Sequence, residues 1–231
     1  MNADKFLEIY NKLDAFMRNE IDKDQFMSFS SLLREFIADH PIFRRYEEDI
    51  KLYSLLRNAI VHDPFKPGID PIAEPNLDTL NRFQSIYNEI TNPPKAFDKA
   101  IKNIYKTTLL AKVSDVMTEM NDKRYTYVPV IDKNQLIGIF SENTLFSYLI
   151  HKNPLNDQIL MRDLGEYIPL EKHRNEYFKF VDRDCLFWEA EEMFKETVNN
   201  GKRLAVVYIT EHGRKEEYIL GMLTAWDVAG N

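Results

Sequence analysis

The sequence predicts an α + α/β chain: an all-α domain over residues 1–95, followed by an α/β domain over 96–231. Three observations predict it. The first sixty or so residues are almost free of Gly and Pro and carry apolar side chains at helical spacing. Beyond Asn92-Pro93-Pro94 the pattern changes to short strand-like runs alternating with helical ones, so the break is placed near residue 95. The second region also repeats itself. Leu136-Ile137-Gly138-Ile139-Phe140-Ser141-Glu142-Asn143-Thr144 returns imperfectly as Ile219-Leu220-Gly221-Met222-Leu223-Thr224-Ala225-Trp226-Asp227.

In the first domain, Phe6, Ile9, Leu13, Phe16 and Met17 form one apolar stripe and Phe26, Phe29, Leu33, Phe36 and Ile37 a second, each the buried face of a helix. His40-Pro41 marks a break. A third helix is expected from Pro41 to Val61, with Ile50, Tyr53, Leu56 and Ile60 on one face, ending at Asp63-Pro64 because the residue before proline avoids the α region. Pro64, Pro67, Gly68, Pro71 and Pro75 make an irregular stretch, after which Asn76 is placed to cap a helix carrying Leu77, Leu80, Phe83, Tyr87 and Ile90.

In the second domain a helix over Leu109–Asn121 leads to a strand at Tyr127–Ile131, a turn at Asp132-Lys133-Asn134, a strand at Leu136–Phe140 and a helix from Glu142. The second copy follows the same order: a strand at Tyr177–Val181, a helix over Leu186–Val198, a strand at Leu204–Ile209, a turn at Glu211-His212-Gly213-Arg214 and a strand over Tyr218–Met222. Two α/β units, over about 96–155 and about 160–231, are each too small for a strong core alone. They are expected to bury their sheets against each other.

Composition bounds the function. With 231 residues, 44% hydrophobic and 29% charged, the chain reads as globular, with no low-complexity segment. No secretory apolar stretch and no run of membrane-spanning length is present, so a cytoplasmic protein is expected. A lone Cys185, in a segment read as helical, agrees with a reducing compartment and reads as a small buried hydrophobe. The formal net charge of −7 argues against a broad phosphate-binding surface, so any RNA contact is local to a cleft. The other histidines (His40, His151, His173 and His212) are scattered without metal-ligand spacing, and no P-loop, Gly-x-Ser-x-Gly or His-Glu-x-x-His occurs. No metal and no cofactor is required.

The glycine-led ends of the two copies carry the chemistry. Gly221 allows close backbone approach, Thr224 supplies a hydroxyl at the start of the last helix and Asp227 a carboxylate one turn later, a compact binding pattern at a strand-to-helix junction. Thr224-x-x-Asp227 is also a helix cap with an acidic third residue, and the two roles are compatible. In the first copy Thr144 replaces the carboxylate, which leaves Ser141 at a poorer site. The better site is therefore expected around Asp227.

These pieces resemble a tandem pair of cystathionine β-synthase (CBS) domains over residues 96–231. The resemblance is carried by Val128-Pro129-Val130-Ile131-Asp132, the two glycine-led strand ends and Met161-Arg162-Asp163-Leu164; Ala205 stands where the first copy has Pro129. It implies two stacked repeats with clefts for an adenosine-containing ligand such as AMP, ADP, ATP or S-adenosylmethionine, acting as a regulatory ligand. Asp227 would bind ribose, Thr224 would lie near the phosphates, and Lys202 and Arg203 would reach them.

A second local signal is Arg57-Asn58-Ala59-Ile60-Val61-His62 at a helix end. Asn58 and His62, four apart, share a face, and Arg57 can swing over it. The run resembles the Arg-x4-His motif of HEPN domains, helical modules often found as RNases in toxin and phage-defence systems. That resemblance implies a homodimer whose motifs meet in one cleft and a metal-independent RNA cleavage. His62 would be the acid or base, Arg57 would stabilise the phosphorane and Asn58 would orient either. The plainer alternative has His62 capping the helix and Arg57 pairing with Glu48 or Asp49. The resulting expectation is a regulatory protein whose CBS pair senses an adenine nucleotide and controls the helical domain, with a nucleotide-regulated endoribonuclease as the alternative.

Overall fold

A computed structural model describes residues 1–21, 27–61, 73–151, 154, 156–195 and 201–229. The chain divides into two compact units, Met1–Pro93 and Pro94–Asn231. Phe26 of the second stripe, His62, Asp63, the prolines at 64, 67 and 71, Gly68 and Val198 lie outside the described residues.

The first unit is helical: α1 (Asn2–Ile21), α2 (Phe29–Asp39), α3 (Pro41–Arg45), α4 (Glu47–Val61) and α5 (Leu77–Thr91). The stripe of α1 buries Phe6, Ile9, Leu13 and Met17. Ser28 caps α2, its Oγ accepting from the Ser31 N–H, and Asn76 caps α5, its Oδ1 accepting from the Thr79 N–H at 2.8 Å. The single helix expected from Pro41 to Val61 is two. Tyr46 leaves helical geometry at φ −108° and ψ 16°, and its hydroxyl donates to Glu89 on α5. Glu47, Glu48 and Asp49 then fill the first turn of α4, where the dipole favours acid. Phe6, Tyr53 and Phe83 meet at the centre, with ring centroids 4.4–5.8 Å apart.

The second unit opens with α6 (Ala96–Lys99) and then builds the same three-stranded sheet twice. The first copy holds β1 (Thr107–Thr108), α7 (Val113–Lys123), β2 (Tyr127–Asp132), β3 (Gln135–Ser141) and α8 (Glu142–Ile150). The second holds β4 (Glu176–Val181), α9 (Phe187–Lys195), β5 (Arg203–Ile209), β6 (Gly221–Thr224) and α10 (Ala225–Ala229). In each sheet the first strand runs parallel to the middle one and the third antiparallel to it. Lys133 and Asn134, both at positive φ, make the two-residue hairpin turn that the right-handed twist of β2 and β3 favours.

Three further expectations need correction. Residues 109–112 are not helical, because Thr107–Thr108 pair with Val130 and Ile131 as a strand and α7 begins only at Val113. Tyr218–Leu220 are not strand; pairing with β5 starts at Gly221 opposite Ile209. Cys185 precedes its helix, which begins at Phe187. The two sheets bury a shared layer in which Tyr127, Leu136 and Ile139 of one meet Ala205, Val206 and Tyr208 of the other.

The lead-in segments cross over between the copies. Residues 94–101 dock on the second copy, through Ala96 N–H to Cys185 O and paired bonds between Ile101 and Met222; residues 159–168 dock on the first, through Val113 N–H to Ile159 O and Ile139 N–H to Ile168 O. This crossing explains the paired glycines. A Cβ at Gly138 would lie 2.0 Å from Ile168 O, and one at Gly221 would lie 2.9 Å from Ala100 Cβ.

Candidate functional site

Asp227 and Thr224 sit at the β6–α10 junction, on the wall of a cavity of about 410 Å³ that Arg124, Arg203 and Trp226 also line. Thr224 closes β6 because its partner Val206 holds it in register, and α10 starts at the next residue. Asp227 folds back on this turn: its Oδ2 accepts from both the N–H and the hydroxyl of Thr224, each at 2.7 Å. The acidic cap therefore forms, and it leaves a half-buried carboxylate on the cavity wall, where a carboxylate's four lone-pair sites allow further acceptance.

The structure sorts the other sequence-derived candidates. Arg203, at the first position of β5, lines this cavity, whereas the neighbouring Lys202 does not. Gly221 is approached by Ala100 and Ile101 of the chain itself, so its missing side chain serves packing between copies. In the first copy, Ser141 Oγ accepts from the Thr144 N–H and Thr144 Oγ1 accepts from the Ser141 N–H, a closed capping box with both residues buried. Ser141 lines a different cavity, of about 420 Å³.

The residues that sequence reasoning passed over are Arg124, Tyr127, His173 and Glu176. Glu176 is 2% exposed. Its Oε1 accepts from the Tyr127 hydroxyl at 2.9 Å and from Arg203 Nη2 at 3.2 Å, and its Oε2 faces His173 Nδ1 at 3.6 Å. Burial alone would raise this carboxyl, but His173, Asn143, Tyr127 and Arg203 together outweigh it and hold the group down at about 2. Tyr127 moves the other way, pushed up to about 12 by burial and by the adjacent carboxylate. A signal for Glu176 was present: in Glu176-Tyr177-Phe178-Lys179-Phe180, strand alternation puts the carboxylate on one face with Phe178 and Phe180.

In the helical unit, Arg57 stacks over the Tyr10 ring at 5.7 Å and its Nη1 lies 3.4 Å from Asn58 Oδ1. Asp49 pairs with Arg82, so it is not the partner that the plainer alternative gave Arg57. His62, the third member of the motif, lies outside the described residues. Among the described residues no group of three or more His, Cys, Asp and Glu is placed to hold a metal, and no helix is long and apolar enough to cross a membrane.

Residues 100–151, which hold the first sheet and both its helices, match the family model of the CBS domain. Helices followed by two mixed sheets of CBS type are the architecture of this chain. Solved structures similar to it include an acetoin utilization protein (AcuB) from Vibrio cholerae, 16% identical, covering 59% of this chain and 87% of that one with a TM-score of 0.43. The CBS domain pair of protein MJ0100, described in complex with 5-methylthioadenosine and S-adenosyl-L-methionine, is 14% identical over 60% of this chain and 94% of its own, with a TM-score of 0.42. CBSX2, described in complex with AMP, is 18% identical over 59% and 94%, also with a TM-score of 0.42. No curated protein matches the sequence.

Proposed function

We propose that the second unit binds an adenosine-containing nucleotide in the cavity walled by Thr224 and Asp227, and that occupancy regulates the helical unit. The observation that carries this reading is a carboxylate and a guanidinium, Asp227 and Arg203, on the wall of one cavity whose volume suits a small molecule. Asp227 supplies the acceptor for two ribose hydroxyls and Arg203 the donor for a phosphate. The first copy lacks the equivalent acceptor, since Thr144 is spent in its capping box, so one nucleotide per chain is expected.

Titration calorimetry of the full chain with AMP, ADP, ATP and S-adenosylmethionine tests it. Binding of at least one, weakened roughly tenfold or more in Asp227→Asn, is expected. No binding of any would remove the reading. Regulation requires that the ligand bind two arrangements of the protein with different affinity. The two would be seen as different solution scattering with and without saturating nucleotide.

A second reading, a homodimeric endoribonuclease, draws on one observation: among the described residues Arg57 makes no ion pair and its buried Nε has no hydrogen-bond partner. RNA cleavage that persists unchanged in Arg57→Ala and His62→Ala would refute it.

A further inference from the structure

The cavity at Asp227 does not stand alone. Arg124, Tyr125 and Thr126 wall both it and the second cavity, where Met117 and Met120 of α7, Phe140 of β3 and Leu145 of α8 stand beside Asn121, Ser141 and Glu142. Each alone, at about 420 and 410 Å³, is near the lower end of small-molecule sites, which run to roughly 1,000 Å³. The residue between them is unusual on two counts. Arg124 takes the left-handed conformation at φ 58° and ψ 37°, where glycine would be cheaper, to end α7. Its exposed guanidinium makes no ion pair or hydrogen bond among the described residues.

Charge narrows the ligand. The two cavities together are walled by Arg124 and Arg203 against Asp227 and Glu142, an even balance, and Arg203 is already shared with Glu176. Such a site offers little to the charge of a free triphosphate. It suits a phosphate carrying a single charge, and the thioethers and Phe140 beside it suit an apolar or aromatic group.

Taking the nucleotide reading above as its basis, the geometry points to a ligand with two heads: a nucleoside 5′-phosphate esterified to an apolar or aromatic group. The nucleoside lies against Asp227, the phosphodiester passes Arg124, and the second group fills the cavity lined by Met117, Met120, Phe140 and Leu145. Arg124 is then the residue that selects the diester, and the Met117 cavity selects its substituent.

Titration calorimetry on the full chain with AMP and with the phenyl ester of AMP tests this. The ester is expected to bind roughly tenfold or more tighter than AMP, since it buries a ring that AMP lacks. Met117→Trp, at a position 37% exposed and outside the Asp227 cavity, fills the second cavity and is expected to abolish that advantage while leaving AMP affinity unchanged. Arg124→Gly keeps the left-handed turn and is expected to weaken the ester roughly tenfold. An ester that binds no tighter than AMP, or an advantage that survives Met117→Trp, overturns the two-headed ligand while AMP binding sensitive to Asp227→Asn keeps the nucleotide reading standing. If neither compound binds, both fall.

Discussion

Replacing Glu176 by Gln removes one buried charge and little volume, and its consequence follows from the carboxyl's surroundings. The group is held at about 2 against an ordinary 4.5. At about 1.4 kcal/mol per pKa unit this corresponds to roughly 3 kcal/mol of folded-state stabilisation of the anion. Arg203 is 69% exposed, so its share is screened, and about 2 kcal/mol is the better expectation. The sign follows from the depression: the stabilisation is whole above the unfolded value near 4.5 and is lost as pH falls toward 2. Wild type should therefore exceed Glu176→Gln by about 2 kcal/mol at pH 7, and the gap should close as pH falls through 4 and 3. Urea unfolding followed by tryptophan fluorescence measures it cleanly, because both tryptophans, Trp188 and Trp226, lie in the second unit. Equal stabilities at pH 7, or a gap that stays constant down to pH 3, would refute the reasoning.

Two further predictions concern packing. Gly138→Ala places a methyl 2.0 Å from Ile168 O, so β3 must withdraw from the crossing segment and the 2.9 Å bond from Ile139 N–H to Ile168 O is strained or lost; a destabilisation of about 3–4 kcal/mol in urea is expected, against about 1 kcal/mol for Gly201→Ala, which meets nothing within 4 Å and suffers only from its positive φ. Equal costs for the two would show that the segment over 159–168 yields freely. Burial, with Glu189 and Asp182 nearby, pushes the Cys185 thiol up to about 12, so a thiolate-specific chromogenic reagent at pH 8 should label it quickly in urea and hardly at all in the native protein. Prompt, complete labelling of the native chain would count against that environment.

What could be read from the sequence was whatever local rules decide. Helical stripes, the Asn76 cap, the Asp132–Asn134 turn and the repeated strand ends each depend on a few neighbouring residues, and each is present. Tertiary demands decided the rest. Tyr46 breaks an otherwise continuous helical pattern because its hydroxyl has a partner 43 residues away on α5. β1 is two residues long, too short for any periodicity to show, and exists because β2 offers it an edge.

The glycines are the clearest case of one pattern with two physical causes. A glycine before a hydroxyl and a helix reads equally as room for a ligand or as room for the chain, and only the crossing of lead-in segments between copies selects the second. The consequence for the site is direct. In the nucleotide site proposed above, recognition falls to the side chains of Asp227, Arg203 and Arg124 rather than to bare backbone at Gly221. Two of these, Arg203 at the start of β5 and Arg124 just ahead of β2, stand at the entry to the middle strand of each sheet, one from each copy. A cavity assembled this way needs both copies folded and stacked, so a change such as Gly138→Ala, in β3 and absent from the walls of the Asp227 cavity, should weaken nucleotide binding by displacing Arg124 while Asp227 keeps its place.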